Sequence, residues 1–334
     1  MPRSSFFIDA EWKRWIAENT LLGAPAEDLI RILTENGFDA AHSKLEVETC
    51  RNHPYITAGG ALSKKLKKND WVLHTARMLR EAHAPEIVEL SDSIENDRFF
   101  EHFYALNQPL IVRGAVKHWP AVSRWTAQYL IEKAGDREVQ IQARRTQNQN
   151  YEIQASQHRQ VTRFGDFVGQ VFADGESNDV YMTAQNCDIN GKALGNLWPD
   201  LEPPPPMLES ATDAHRMFFW IGPRGTVTPL HHDLTNNLMA QVVGRKLVKL
   251  MAPDYLPYLY NHFHCYSQVD PENVDVAKFP LFARVKVHDV EIGPGDLLFL
   301  PVGWWHHVRS LDPSITITAT NFRGINRFNE HYPH

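Results

Sequence analysis

The sequence predicts a mainly β fold with helical additions, preceded by an N-terminal helical region. The final third of the 334-residue chain holds many short apolar runs that are separated by turn signals such as Gly293-Pro294-Gly295-Asp296. Strands of this kind without intervening helices are typical of a closed antiparallel barrel or a two-sheet sandwich. The first part of the chain instead repeats its apolar side chains at helical spacing. We therefore expect a helical region over 1–84 and a β-rich domain over 85–334.

The N-terminal region predicts three helices. Asp9 is suited to cap the first helix, whose apolar residues recur at helical spacing until Gly23 ends it. A second helix ends at Asn36-Gly37, a sequence that favours a left-handed stop. After a break at Gly59-Gly60, a third helix is expected over about 62–83, and its lysine-rich start is interpreted as a solvated face.

The middle of the chain predicts a mixture of strands and helices, and the final third predicts strands only. The expected middle elements are strands over 87–90 and 109–113 around a helix near 93–106, a helix into 131–133, a strand over 139–143, a helix over 156–173, a strand from 180, and an extended connector at 203–206. The expected final strands are 217–221, 238–243, 247–251, 285–292, 297–300, 306–309 and 315–321.

Composition and charge exclude several classes of protein. Lys and Arg number 34 against 40 Asp and Glu, which gives a net charge of −6 and argues against non-specific nucleic-acid binding. Cys50, Cys187 and Cys265 lie far apart and form no CxxC pair, which fits a reducing compartment. No apolar run resembles a secretory signal or approaches the roughly 18 residues of a membrane span. We therefore expect a soluble cytoplasmic protein without a membrane partner.

The motif TPLHHD carries the strongest chemical signal. On a strand, His231 and Asp233 point to the same side, where an imidazole and a carboxylate can hold one metal ion. A third ligand is expected from a facing strand, on which His306 and His307 are the candidates. Strand alternation separates these two histidines but does not choose between them. Two imidazoles and one carboxylate leave coordination positions open, which favours the Fe(II) of an oxygenase over a structural zinc.

Three segments resemble the Jumonji-C, or cupin-like, branch of the 2-oxoglutarate-dependent oxygenases. They are TPLHHDLTNNLMAQVVGRK, SQVDPENVDVAKFP and VEIGPGDLLFLPVGWWHHVRSL, and the nearest likeness is to the protein hydroxylases of that branch, including the asparaginyl hydroxylase that acts on hypoxia-inducible factor. The resemblance is dense over 217–322 and looser back to about residue 86. It implies a double-stranded β-helix, also called a cupin or jelly roll, and makes 85–334 the catalytic domain.

The same resemblance implies the residues of the active site. It makes His231, Asp233 and His306 the catalytic iron ligands, with His307 facing away, and it pairs Lys246 with the distal carboxylate of 2-oxoglutarate. A dicarboxylate in a barrel mouth needs a buried cation and hydroxyl donors on general grounds. The other residues that the resemblance places near the iron or the cosubstrate are Thr228, Tyr181, Asn237 and Asn321.

The implied activity is that of a dioxygenase that uses Fe(II), 2-oxoglutarate and O2 to hydroxylate a side chain of a protein or peptide. Cys265 and Tyr266 stand where the asparaginyl hydroxylase has polar residues that contact its target, so an asparaginyl target is not assumed. The alternatives are an N-methyl-lysine demethylase, a tRNA-base hydroxylase, a non-catalytic metal-binding cupin module and a zinc-dependent isomerase. The acidic balance argues against the tRNA substrate. A homodimer stays open, with the N-terminal helices as one surface for it.

Overall fold

The computed structural model describes residues 7–83, 86–184, 187–209 and 217–333. The chain divides into two compact units, Met1–Leu79 and Arg80–His334. Among the described residues, no helix combines the length and the apolar content that crossing a bilayer requires.

The N-terminal unit is helical, as predicted. Its helices are α1 (Ala10–Leu22), α2 (Ala26–Glu35), α3 (Ala40–Asn52) and most of α4 (Pro54–His83). The Asp9 carboxylate accepts hydrogen bonds from the first backbone N–H groups of α1, and Gly23 ends this helix with a left-handed φ of 94°. Ile16, Leu29 and Val47 form the buried core of the unit, together with Ile8 and Leu33.

Two expectations for this unit are wrong. Helix α3 lies where no helix was predicted, because its sequence buries only Ser43 and Val47 and so shows little apolar periodicity. Helix α4 continues through Gly59 and Gly60, where a break was predicted. Glycine within a helix costs only about 1 kcal/mol per residue relative to alanine, which a 30-residue helix tolerates.

The larger unit contains fourteen described strands and five further α-helices. In chain order the strands are β1 (Val88–Ser91), β2 (Leu110–Arg113), β3 (Glu138–Gln142), β4 (Arg159–Arg163), β5 (Met217–Gly222), β6 (Val227–His232), β7 (Asn237–Val243), β8 (Lys246–Met251), β9 (Asn261–Phe263), β10 (Tyr266–Ser267), β11 (His288–Ile292), β12 (Leu297–Leu300), β13 (Trp305–Ser310) and β14 (Ser314–Ala319). The helices are α5 (Asn96–Phe99), which continues as a π-helix over Phe100–Tyr104, α6 (Pro120–Arg124), α7 (Ala127–Ala134), α8 (Phe164–Val171) and α9 (Cys187–Ala193).

The strands form two six-stranded sheets and a separate ribbon. The first sheet has the order β1-β2-β12-β7-β14-β5, and the second has the order β11-β8-β13-β6-β10-β9. All described pairs in these sheets are antiparallel except β1 with β2. This architecture confirms the predicted fold class, a mainly β jelly-roll core preceded by helices.

The two sheets face each other across one of the two apolar clusters of this unit. Met239 and Leu298 of the first sheet share that cluster with Val248 and Leu250 of the second. The opposite face of the first sheet packs in a separate cluster with the helices, through residues such as Leu238. Alternate residues of β7 therefore enter different cores, as the period of two in a strand requires.

The single helix expected over 156–173 is only half right. It begins with a short 3-10 helix, Ala155–His158, which is followed by strand β4, and β4 pairs antiparallel with β3 along its whole length. Only Phe164–Val171 is α-helical, and this segment buries Phe167 and Val168 on one face. Pairing with β3, which lies distant in sequence, determines the conformation of a polar stretch that has little preference of its own.

Candidate active site

Three metal-ligand side chains meet on the second sheet. His231 lies near the end of β6 and is directly opposite His306 of the antiparallel strand β13. Directly opposite residues point to the same face of a sheet, so both imidazoles occupy one side. Asp233 follows the end of β6, where its backbone oxygen accepts a hydrogen bond of 3.1 Å from Gly303 N. One ligand atom from each of the three residues lies within 4.8 Å of the others.

Backbone carbonyl groups fix both imidazoles in one orientation. His231 Nδ1 lies 2.8 Å from Pro229 O, and His306 Nδ1 lies 3.1 Å from Trp304 O. A carbonyl oxygen only accepts hydrogen bonds, so each Nδ1 carries a proton, and in a neutral ring Nε2 then has the lone pair that a metal needs. His231 Nε2 lies 3.7 Å from Asp233 Oδ1, which places these two ligand atoms together.

The charge state of the three residues suits a divalent cation. Burial opposes ionisation of Asp233, but the nearby His306 and His231 and a hydrogen bond of 3.0 Å from Asn237 Nδ2 outweigh it. The pKa of Asp233 therefore lies below its usual value. Burial, assisted by the neighbouring His231, lowers the pKa of His306 to about 3. A carboxylate with at least one neutral imidazole beside it is a donor set for Fe(II) or a similar metal.

The structure brings His306, and not His307, to this group. His307 lies directly opposite Lys249 of β8, on the reverse face of β13 from His306. Its Nδ1 atom is buried and has no hydrogen-bond partner among the described residues. Alternation along the strand therefore separates the two histidines as expected, and the register with β6 selects between them.

A cavity with about 370 Å³ of atom-free space adjoins the three side chains. We call it the inner cavity, and its lining residues are Tyr181, Trp220, Thr228, His231, Asp233, Asn237, Met239, Lys246, His306, Val308 and Thr318. Seven of the eight predicted site residues line this cavity. The eighth, Asn321, lies beyond the end of β14, donates a hydrogen bond of 3.1 Å to Glu209 O and does not line the cavity.

Lys246 is a buried cation without a described anionic partner. It begins β8 and is only 1% exposed, and its Nζ donates a hydrogen bond of 3.2 Å to Tyr181 Oη. Burial lowers the pKa of Lys246 to about 7. A charged ammonium in this position is costly unless an anion joins it. The inner cavity thus has the cation that a carboxylate ligand needs, on the same lining as the metal-ligand group.

An irregularity in β6 places Thr228 in the same cavity as His231. Thr228 is opposite Val308, and His231 is opposite His306, so two steps on β13 match three steps on β6. Residues three apart on a regular strand would face opposite sides. The extra residue brings both side chains to one face, as a β-bulge does.

Trp220, Met239 and Thr318 line the inner cavity but were not predicted. Trp220 Nε1 donates a hydrogen bond of 2.9 Å to Thr318 Oγ1, which closes one wall. The polar alternation of Thr316 and Thr318 in a buried strand was a usable sequence signal, because buried hydroxyl groups need partners.

A second cavity, with about 930 Å³ of atom-free space, shares the metal-ligand side with the first. We call it the outer cavity. Its lining residues are Glu152, Thr183, Ala184, Phe218, Trp220, Thr228, His231, His232, Asp233, Leu234, Thr235, Asn237, Cys265, Tyr266, Thr318 and Thr320. No lysine or arginine occurs among these described lining residues.

Two facing sheets that enclose a His–Asp–His group beside a buried lysine define a cupin-type metalloprotein. The chain matches the profile of the cupin-like domain family over residues 96–327, which is more than half of its length, and it belongs to that family. Its relatives place it among the Jumonji-C proteins of that family. Oxygenases of this kind use Fe(II), 2-oxoglutarate and O2, and the three-residue group fits such a metal.

Three relatives illustrate the range of the family. The chain is 32% identical over 267 residues to lysine-specific demethylase 8 of Danio rerio, which covers 77% of this chain and 62% of that protein. It is 30% identical over 239 residues to lysine-specific demethylase JMJ30 of Arabidopsis thaliana, with 69% and 54% covered. It is 26% identical over 255 residues to tRNA wybutosine-synthesizing protein 5 of Gallus gallus, with 72% and 78% covered. The chain spans less than two thirds of either demethylase. The finer likeness to the asparaginyl hydroxylase stays a prediction.

Proposed function

We propose that this chain is an Fe(II)- and 2-oxoglutarate-dependent dioxygenase that hydroxylates a side chain of a protein or peptide. One observation carries the proposal. His231, Asp233 and His306 line a cavity that also contains the buried cation Lys246, which has no described anionic partner. A metal and a carboxylate-bearing cosubstrate are the two ligands that such a cavity would complete.

Three side chains would hold the metal. His231 and His306 offer Nε2, because their Nδ1 atoms are occupied by backbone carbonyl groups. Asp233 offers Oδ1, while Asn237 restrains Oδ2. When bound, Fe(II) with 2-oxoglutarate and O2 supplies the oxidation of an unactivated C–H bond, coupled to decarboxylation of 2-oxoglutarate to succinate.

Lys246, Tyr181 and Thr228 would hold the distal carboxylate of 2-oxoglutarate. Lys246 offers a charged donor, and the two hydroxyl groups offer neutral donors in the same cavity. Burial raises the pKa of the Tyr181 phenol, which keeps this group protonated and able to donate. Met239 and Val308 supply apolar walls that exclude water from the reacting end.

The outer cavity would receive the substrate side chain. Its described lining contains no lysine or arginine, so it offers no cation for a phosphate backbone. This supports a protein or peptide substrate over tRNA. The separated cysteines support a cytoplasmic location, and a homodimer through the N-terminal helices stays a prediction.

N-methyl-lysine demethylation is the second candidate, because two relatives are named lysine-specific demethylases. The same three ligands and the same lysine would serve both reactions. The difference is the carbon that is hydroxylated, since an N-methyl carbon once hydroxylated leaves as formaldehyde.

The test is turnover of 2-oxoglutarate by the full chain with Fe(II), ascorbate and a peptide library that includes methyl-lysine peptides. Hydroxylation adds about 16 Da to a peptide, whereas demethylation removes about 14 Da and releases formaldehyde. Asp233→Ala is the matched inactive control. If the wild-type chain forms no succinate and does not bind 2-oxoglutarate, the proposal is wrong and a non-catalytic module remains. Activity with Zn(II) in the absence of O2 would identify an isomerase instead.

A further inference from the structure

Arg145 is a fully buried cation that the proposed chemistry does not use. Its guanidinium donates hydrogen bonds to Glu152 Oε1 at 2.8 Å, to Val227 O at 2.8 Å and to Asn178 Oδ1 at 2.9 Å. The Arg145 side chain is 0% exposed and that of Glu152 is 5% exposed. The ion pair satisfies the charge, since a buried arginine is tolerated only with an anion and well-placed acceptors.

The guanidinium of Arg145 also lies between two aromatic rings. Its central carbon is 4.2 Å from the ring centroid of Tyr151 and 5.0 Å from that of Tyr181. The other cation near the Tyr181 ring is Lys246, whose Nζ lies 5.6 Å from the centroid and 3.2 Å from the hydroxyl oxygen. One phenol ring is therefore held by two buried cations, of which only Arg145 has an anionic partner among the described residues.

These contacts give Lys246 and Arg145 different roles. Lys246 is left free to bind an anion, whereas Arg145 is fixed by three acceptors and by the Tyr151 ring. Two backbone hydrogen bonds between Tyr181 and Gln142, of 2.7 and 2.9 Å, hold the main chain of Tyr181 in place. They do not restrain the hydroxyl end of its side chain. The Trp220 ring, with its centroid 5.7 Å away, and the guanidinium both contact the Tyr181 ring, and the guanidinium adds a favourable restraint because a cation over an aromatic face is stabilised when both are desolvated.

We propose that Arg145 is a positioning residue of the cosubstrate site, which holds the Tyr181 hydroxyl in line with Lys246 for one carboxylate. This inference rests on the proposed function, since it assigns Tyr181 and Lys246 to 2-oxoglutarate. Arg145 acts through Tyr181 and does not touch the cosubstrate or the metal.

The test is a double-mutant cycle on the full chain loaded with Mn(II), with N-oxalylglycine as the probe of the cosubstrate site. Arg145→Lys keeps the positive charge but loses the planar guanidinium with its several N–H donors. It should raise the Kd of N-oxalylglycine about tenfold, which corresponds to the loss of one well-placed hydrogen bond. The Kd of Mn(II) should stay within about twofold, because Arg145 does not touch the metal ligands. Tyr181→Phe should cause a similar loss, and the double variant should be no worse than Tyr181→Phe alone.

Arg309→Lys is the matched control, because Arg309 also pairs with a glutamate, at 2.9 Å, but lines neither cavity. It should leave the Kd of N-oxalylglycine unchanged. Effects of Arg145→Lys and Tyr181→Phe that multiply, or an equal loss of Mn(II) affinity in Arg145→Lys, would overturn the inference. If Arg145→Lys does not fold, Tyr151→Leu removes the other ring of the stack, and an unchanged Kd in that variant overturns it as well. Failure of the wild-type chain to bind N-oxalylglycine would instead refute the proposed function.

Discussion

Raising the pH is expected to weaken the binding of 2-oxoglutarate, because Lys246 must be protonated to hold a carboxylate. The ordinary pKa of a lysine is 10.5, and burial lowers that of Lys246 to about 7 in the unliganded cavity. The difference disfavours the charged form by about 5 kcal/mol, at roughly 1.36 kcal/mol for each pKa unit. Above about pH 7, binding therefore includes the uptake of one proton.

The size of the effect follows from the protonated fraction. With a free-site pKa of about 7, the Kd should rise about 25-fold from about pH 6.5 to about pH 8.5. Because the charged lysine binds and the neutral one does not, the affinity for 2-oxoglutarate is fully present only well below pH 7 and is lost as the pH rises through and above that value.

Titration calorimetry of the Mn(II)-loaded chain with N-oxalylglycine measures this directly. Near pH 8.5, the apparent enthalpy should vary between buffers of different ionisation enthalpy by the amount that uptake of about one proton requires. Lys246→Met is the control, since it keeps an unbranched side chain of nearly the same length and removes the charge. Its binding should be weak and independent of pH. A wild-type Kd that is flat or falls across this range, or a slope that survives in Lys246→Met, would refute the reasoning.

Asp233→Ala is expected to abolish metal binding, since it removes the carboxylate from a group of three ligands. Electron paramagnetic resonance measures the Mn(II) affinity of this variant, and near-normal affinity would contradict the assignment. His306→Ala should severely reduce 2-oxoglutarate turnover and His307→Ala should reduce it little, because of the two only His306 shares a face with the other ligands. A larger loss of turnover in His307→Ala than in His306→Ala would exchange their roles. Gly244→Ala should lower the free energy of unfolding by about 2 kcal/mol or more, since its φ is +67° and an added Cβ would lie 2.2 Å from a backbone oxygen. Gly60→Ala, where a Cβ meets open space within α4, should instead raise the stability by about 0.5–1 kcal/mol. Urea unfolding followed by circular dichroism measures both, and changes of the same sign would show that the added Cβ does not decide the outcome.

Local sequence predicted the elements whose ends carry strong signals. Asp9 and Gly23 bound α1 as expected, because capping and a left-handed stop depend on residues adjacent in sequence. The break at Gly59 and Gly60 was wrong because a glycine weakens a helix without ending it. Strand β4 was missed because its polar residues gain their conformation from pairing with β3.

The sequence predicted which residue types form the site better than it predicted which of them the fold brings together. The spacing of His231 and Asp233 indicated a shared metal, and the resemblance supplied Lys246 and Tyr181. The structure brings these together with His306, while Asn321 lies outside both cavities and bonds to a backbone oxygen instead. No sequence pattern pointed to Arg145, because its proposed role rests on contact with the Tyr181 ring, which is distant in sequence.

The sequence by itself determined which ligand types are present and that His306 and His307 face opposite ways, because the residue identities and the period of a strand are local properties. The tertiary structure decided which of the two histidines lies opposite His231, since the register between β6 and β13 depends on strands far apart in the chain. It also decided that Thr228 joins the same face, through an irregularity that alternation does not anticipate. The low pKa of Lys246 is likewise a property of the fold, because burial without a described counter-ion arises only when both sheets close around it.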